Sequence, residues 1–177
     1  ARQGARVIVN DVGAELDGSG GSDGPVGEVL ASIRAAGGVA IANAEDVADW
    51  DGAGRLVDAA LREWGRLDVV VNNAGILRDR MFASGSPEEW DAVMRVHLRG
   101  HFCTSRHAAA HWREQSKAGK RVDARIINTS SGAGLLGSVG QSAYSAAKAG
   151  IAALTLVQAE PQRLRAQLLL CASRQFL

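Results

Sequence analysis

The residues of this sequence best equipped to do chemistry together are Ser131, Tyr144 and Lys148. In Tyr144-Ser-Ala-Ala-Lys148 a phenol and an ammonium stand four residues apart, which on a helix is one face, one turn apart. A phenol with an intrinsic pKa near ~10 is a poor acid or base at neutral pH, and a neighbouring ammonium favours its phenolate. Taken alone, the spacing is common by chance and describes a surface tyrosine beside a solvated lysine just as well. The context argues for more. Ser131 closes the run Asn128-Thr-Ser-Ser131, thirteen residues ahead of Tyr144, and Asn72-Asn-Ala-Gly75 forms a second polar run upstream. Both runs follow short apolar, β-branched stretches.

Those stretches belong to an alternation of strand and helix signals. Ala5-Arg-Val-Ile-Val-Asn-Asp11 reads as a buried parallel strand, and residues 13–25 as a Gly/Ser/Asp loop. Val26 to Ala36 has apolar residues at helical spacing and stops at Gly37-Gly38. Val39 to Asn43 is a second strand, and Asp49 caps a helix running to Trp64. Leu67 to Asn72 is a third strand. Ser86 and Pro87 open one long helix from Glu88 to about Glu114. Val122 to Thr129 holds a fourth strand, and a Gly/Ser loop leads to a helix from about Ser142 to Glu160. The order predicts an α/β fold: an open parallel sheet of four strands with helices on both faces. Both polar runs then end strands, where parallel sheets place their sites.

A strand-end Asn-Asn-Ala-Gly, a Ser, and Tyr-x-x-x-Lys at this separation resemble the short-chain dehydrogenase/reductase family, over residues from about 4 to 158. The resemblance implies a Rossmann-like fold, an NAD cofactor, and interconversion of a secondary alcohol and a ketone. It implies that Tyr144 exchanges a proton with the substrate oxygen. Lys148 would lower the tyrosine pKa and bond the nicotinamide ribose, and Ser131 would orient the substrate. Asn72, Asn73, Ala74 and Gly75 would line the adenine side of the cofactor. Asp11 stands where the family reads the ribose hydroxyls and would repel the extra phosphate of NADP; as an isolated residue it also suits a turn cap. Asp46-Val47 matches the family's adenine-contacting pair, though a plain turn aspartate reads almost as well. Ile76-Leu-Arg-Asp-Arg80, Val96-His-Leu-Arg-Gly100 and Gly140-Gln-Ser-Ala-Tyr144 are similar to the dehydrogenase part of peroxisomal multifunctional enzymes type 2 and bacterial relatives. Those oxidise 3-hydroxyacyl-CoA thioesters or hydroxysteroids.

The resemblance also has gaps. Family members begin with a strand and Thr-Gly-x-x-x-Gly-x-Gly, which hold the pyrophosphate at a helix N-terminus. Neither is present here. The loop Gly18-Ser-Gly-Gly-Ser-Asp-Gly24 does not replace it, since Asp23 falls at the last Gly position of G-x-G-x-x-G. The missing strand would separate residues 6–11 from 67–72 in the sheet, and its loss would leave two open edges. From Pro161 the sequence turns to Gln-Arg-Leu-Arg-Ala-Gln-Leu-Leu-Leu-Cys171, unlike the family. Residues 1–160 therefore read as a partial dinucleotide-binding domain and 161–177 as a divergent tail of frameshifted character. As a fragment of this kind the chain is expected not to turn over substrate, its alternative role being association with other subunits through the long helices.

The four histidines, His97, His101, His107 and His111, share one arc of the predicted long helix. They span about 21 Å, too far for one metal ion, so a packed face or subunit interface is the better reading and no metal is expected. His97 occupies the place of a family Asn that holds a water of the proton relay, and joins the catalytic candidates. The 177 residues carry a net charge of +1, which excludes nucleic-acid and membrane-surface partners driven by charge. Two cysteines in no ligand-like spacing read as reduced thiols of a cytoplasmic protein.

Overall fold

The computed structural model describes residues 1–13 and 24–159 and the main chain of 165–171. The elements are β1 (Arg6–Asn10), α1 (Gly24–Ala35), β2 (Val39–Asn43), α2 (Trp50–Trp64), β3 (Val69–Asn72) and a 3-10 turn at Phe82–Ser84. They continue with α3 (Pro87–Met94), a π-helical turn (Arg95–Arg99), α4 (Gly100–Lys117), β4 (Arg125–Ser131), α5 (Ala133–Leu136), α6 (Ser142–Ala159) and β5 (Arg165–Cys171). Every strand pair is parallel. The loop expected at 13–25 lies largely outside the described residues, and α1 begins within its expected end.

The expected caps are in place. Asp49 accepts from the Gly52 backbone N–H at 2.7 Å and starts α2. Ser86 and Glu89 form a reciprocal capping box at the head of α3, with Pro87 in the first turn. Gly65 ends α2 at φ 69°, a conformation that spares only glycine a penalty. Two expectations need correction. The single helix expected from Glu88 is two helices joined by a π turn, because the ring of His97 is drawn inward to the backbone of Ile76. Four strands were expected; a fifth, β5, lies in the segment read as divergent and pairs with β4 from Arg125↔Arg165 to Ser131↔Cys171. Its run Leu168-Leu-Leu-Cys171 carries enough apolar character to continue a parallel sheet whatever the family pattern.

The strands fall into two sheets, β1-β2 and β3-β4-β5, so β1 and β3 are not hydrogen-bonded neighbours. This is the gap anticipated for a missing strand. Parallel strands are normally covered on both faces, yet Val69 and Val71 are 47% and 59% exposed. Only the face shared with Val70 is packed: Val57 of α2, Ala108 and Trp112 of α4, Ala124 just before β4 and Ile126 of β4 form a cluster that includes Leu67 and Val70 at its border. The Trp112 indole donates to the Leu67 carbonyl at 2.7 Å, so the largest aromatic of this core is also hydrogen-bonded. Residues of β1 and β2 join at their C-terminal ends through Asn10, whose side-chain amide exchanges two 3.0 Å hydrogen bonds with the backbone of Glu45.

This core predicts a measurable cost. Ile126 is 1% exposed, and Ile126→Ala is expected to lower unfolding free energy by about 2–5 kcal/mol in a urea titration. A change under 1 kcal/mol (roughly a surface substitution) would contradict the packing described.

Candidate active site

Lys148 sits on α6 and is 3% exposed. A buried ammonium is costly unless it is hydrogen-bonded. Its Nζ donates to the Thr129 carbonyl at the end of β4, 2.7 Å away. It also lies 5.5 Å from the centre of the Tyr144 ring, within cation–π range. The spacing of four expected to bring phenol and ammonium together on one helix face does so. The neighbouring hydroxyl, Ser130 Oγ, donates to the Lys148 carbonyl at 2.7 Å and ties the strand end to α6. Gly134 of α5 lies so close that a Cβ there would be 2.6 Å from the Lys148 carbonyl carbon. The strand end, the short helix α5 and the face of α6 that carries Lys148 are thus fixed against each other.

His97 approaches from the other side. Its ring meets Tyr144 edge to face, with centroids 5.3 Å apart. Its Nε2 is 2.9 Å from the Ile76 carbonyl and 3.1 Å from the Ile76 nitrogen. One ring nitrogen cannot donate and accept at once: with the ring hydrogen on Nδ1 the Ile76 N–H donates to Nε2, and in the other tautomer Nε2 donates to the Ile76 carbonyl. The π turn at Arg95–Arg99 supplies this geometry, since a local widening re-aims the side chain. Gly75 makes room for it: a Cβ there would stand 2.3 Å from His97 Cε1. That explains the glycine of Asn72-Asn-Ala-Gly75 from contact alone.

The remaining sequence candidates are placed as follows. The Asn72 side chain, expected to line the cofactor, is buried and committed elsewhere. It donates to Ser105 Oγ and Asn128 Oδ1, each at 2.9 Å, and accepts from Thr104 Oγ1. Asn128 in turn donates to Thr155 and Gln158 of α6. Asn72 therefore braces β3, β4, α4 and α6, while Asn73, Ala74 and Gly75 emerge at the strand end, exposed. Ser131 is buried at the end of β4 and its Oγ accepts from the Ala133 N–H at 3.2 Å, with no acceptor for its own hydrogen among the described residues. Asp11 is exposed at the end of β1 and accepts from the Gly13 N–H at 2.7 Å. Asp46 is ion-paired with Arg95 at 2.6 Å and accepts from the Ala48 N–H. Burial raises its pKa, but the bonds from Arg95 and Ala48 outweigh that and hold it below the usual carboxylate range. Val47 packs on Gly100, where a Cβ would approach its Cγ2 to 3.0 Å.

The histidine arc divides. His97 and His101 are buried inside, His107 bonds the Trp50 carbonyl at 3.0 Å and packs on the Trp50 ring, and His111 lines a groove between α2 and α4 with His107, Asp51 and Asp58. No three His, Cys, Asp or Glu side chains among the described residues converge as metal ligands. The groove's lining includes neither Tyr144 nor Lys148. Sequence reasoning missed the Asn72–Asn128 brace and the inward turn of His101. The first depends on β3 and β4 becoming neighbours across 56 residues, which no local pattern announces.

Burial pushes His97 and His101 down to about 4 from 6.5; in both, the Lys148 charge pushes the same way, while backbone bonds pull upward. Both imidazoles are neutral in the fold. Their folded pKa lies below the unfolded one, so their contribution to stability is whole above pH 6.5 and is lost as pH falls toward 4. The limit is roughly 3 kcal/mol per ring. A urea series should therefore show stability declining through that window, and the double variant His97→Gln, His101→Gln should flatten the decline. A second expectation concerns Gly75→Ala, which must displace His97 and should cost about 1–3 kcal/mol of stability while shifting the His97 ring resonances; an unchanged His97 spectrum would refute the contact.

Parallel strands, a tyrosine–lysine pair on the helix after β4, and a polar strand end after β3 define a dehydrogenase of the Rossmann-like class. The short chain dehydrogenase family model matches residues 1–165, and the chain belongs to that family. It is 53% identical over 158 residues to the hydroxyacyl-CoA dehydrogenase ChsB1 of Mycobacterium tuberculosis, covering 88% of this chain and 48% of that protein. It is 47% identical over 154 residues to the peroxisomal multifunctional enzyme type 2 of Mus musculus, covering 87% of this chain and 20% of that one. A crystal structure of a short chain dehydrogenase from Mycobacterium avium superposes with a TM-score of 0.88 at 59% identity, covering 97% of this chain and 61% of that one. The chain thus spans about half the length of ChsB1 and smaller shares of the multifunctional enzymes.

Proposed function

We propose that this protein is an NAD-dependent oxidoreductase that interconverts a secondary alcohol and a ketone, with a 3-hydroxyacyl-CoA thioester as substrate and a hydroxysteroid as the nearest alternative. The observation that carries the reading is the convergence of Lys148, Tyr144 and His97 at the ends of β3 and β4. Tyr144 is the group that gives or takes the proton at the substrate oxygen. Lys148, held by Thr129, keeps a positive charge beside that phenol and so favours its ionised form. Ser131, whose hydroxyl hydrogen has no acceptor among the described residues, orients the substrate oxygen. A nicotinamide, when bound, supplies the hydride chemistry.

The residues present fit the adenosine end and the nicotinamide-ribose end of such a dinucleotide. Asp11 offers an exposed carboxylate at a strand end, suited to ribose hydroxyls. Asn73 to Gly75 offer exposed backbone, and Gly75 has no room for a larger residue. Asp46 and Val47 form the adjoining wall, with the Asp46 carboxylate already engaged by Arg95. For the substrate, the Arg80–Gln141 bridge joins the loop after β3 to the loop before α6. The exposed side chains of Met81, Phe82 and Val139 flank that bridge, with Leu135 and Leu136 on α5 of the same loop. An apolar rim of this kind suits an acyl chain or a steroid ring system, and the relative's name points to hydroxyacyl-CoA.

A second copy of the chain is the partner we infer, since Phe102 of α4 and Leu156 and Val157 of α6 are exposed apolar residues on the two long helices. No described helix is long and apolar enough to cross a membrane. We read the compartment as the cytoplasm, with which the buried free thiol of Cys103 agrees.

The deciding experiment restores the family's first strand and Gly-rich turn ahead of this sequence and follows oxidation of a 3-hydroxyacyl-CoA with NAD and NADP, with Tyr144→Phe and Asp11→Ala compared against the unsubstituted restored protein (wild type below). Tyr144→Phe should lose about 10²–10⁴ in kcat with NAD affinity kept. Asp11→Ala should narrow the preference for NAD. Undiminished turnover by Tyr144→Phe would refute the role of the phenol, and equal kcat/KM for both cofactors in wild type would refute that of Asp11.

A further inference from the structure

The five residues of the π turn, Arg95–Arg99, hold two places at once. Residues four apart on a helix share a side, and residues two apart point nearly opposite, about 200° around. Arg95 and Arg99 therefore leave the turn on one side and His97 on the other, and the contacts follow that division. Arg95 Nη2 lies 2.6 Å from Asp46 Oδ2, and Arg99 Nε donates to the Ala48 carbonyl at 2.8 Å. Gly100, one residue on, stands bare against Val47, where a Cβ would approach Cγ2 to 3.0 Å. One stretch of backbone thus holds Asp46, Val47 and Ala48 together. On the opposite side His97 is 2% exposed, its Nε2 at the Ile76 backbone and its ring edge to face with Tyr144.

Neither side has slack. Gly75 closes off the His97 ring, since a Cβ there would stand 2.3 Å from Cε1. On the loop side Ala48 is 1% exposed, and its N–H donates to Asp46 Oδ1, on the carboxylate that Arg95 engages. Gly52 packs so closely that a Cβ would be 2.8 Å from the Asp46 carbonyl oxygen. The Arg95–Asp46 pair alone is a weak tie, because both side chains are nearly half exposed. The charge-assisted bond from Arg99 to the carbonyl of a buried residue is the stronger one. A π turn between two close-packed contacts does not deform gradually, so a displacement on one side is taken up on the other.

We propose that Arg99 is a positioning residue that ties the Asp46–Ala48 loop to the π turn, so that a ligand seated on this loop sets the His97 ring against Tyr144. The ligand is the adenine end of the dinucleotide, a clause that rests on the reading of Asp46 and Val47 as its wall. Occupancy of the cofactor's far end is thereby felt beside the acid/base tyrosine through a rigid element with a contact at each side.

The test is nuclear magnetic resonance on residues 1–177, labelled with nitrogen-15, with adenosine 5′-monophosphate as the probe ligand. Arg99→Ala should shift the His97 ring resonances and speed amide exchange at Ala48 about tenfold, as for the loss of one hydrogen bond. Arg99→Lys, which can still donate to the carbonyl, should restore most of both. Gly75→Ala, which displaces His97 from its other side, should in turn shift the Val47 and Ala48 amides. The monophosphate should shift His97 in the unsubstituted chain and leave it unmoved in Arg99→Ala. Arg99 is exposed, and amide exchange at Ile126 checks that its variants keep the core. Unmoved His97 resonances in Arg99→Ala overturn the proposal, as do equal shifts in Arg99→Ala and Arg99→Lys or unmoved loop amides in Gly75→Ala. A monophosphate that moves Val47 and Ala48 but not His97 overturns it as well. One that moves none of the three refutes the adenine reading of the loop, and the variants alone then decide the tie.

Discussion

Everything at this site depends on one constraint: a lysine ammonium is held away from water. Among the described residues, the burial of Lys148 is supported by a strand-end carbonyl, that of Thr129, which accepts from it, and by an aromatic ring beside it. Both partners must be fixed before the charge arrives. The carbonyl is fixed by β4, which is paired on both edges, with β3 and with β5. The ring is fixed by helical spacing, because Tyr144 and Lys148 share one face of α6. Ser130 and the close approach of Gly134 then lock the strand end to the helix.

The same charge shapes its surroundings. Two imidazoles packed near an ammonium in a low-dielectric interior stay neutral, and neutral rings serve as acceptors where charged ones could not. The polar interior is nevertheless organised. From Thr104 through Asn72 and Asn128 to Thr155 and Gln158, side-chain hydrogen bonds cross from α4 to α6 beneath the site. Such a fully bonded network specifies a register that apolar packing alone would not. It also explains why the asparagine at the end of β3 is not a surface ligand here.

Where the sheet is open, the cost is visible in exposed apolar surface. Val69 and Val71 face an uncovered side of β3, and β1 stands in a sheet of its own with β2. The half that carries Tyr144 and Lys148 is packed through Ile76, Val93, Ala143 and Ala147. The half that carries Asp11 is held by the side chain of Asn10, by the ion pair of Asp46 with Arg95, and by the packing of Val47 on Gly100. The Tyr144–Lys148 pair thus rests chiefly on burial, and the end that carries Asp11 on polar contacts together with the close approach of Val47 to Gly100.

Local chemistry in the sequence determined a great deal. The β-branched runs, the caps at Asp49 and Ser86, and the glycine stops set the elements and their order, because strand and helix signals are short-range. The four-residue step from Tyr144 to Lys148 already put phenol and ammonium together, since a helix makes that step one turn. Tertiary structure alone decided the rest. It turned His97 inward through a π turn, because the Ile76 backbone that draws its ring lies 21 residues away. It made Asn72 a brace rather than a ligand, because its partners come from β4 and α4. It paired a segment of unfamiliar sequence with β4, because a parallel edge accepts any chain able to extend beside it. And it buried His101 with no partner for Nε2 among the described residues, a property of tertiary packing that no spacing of residues could announce.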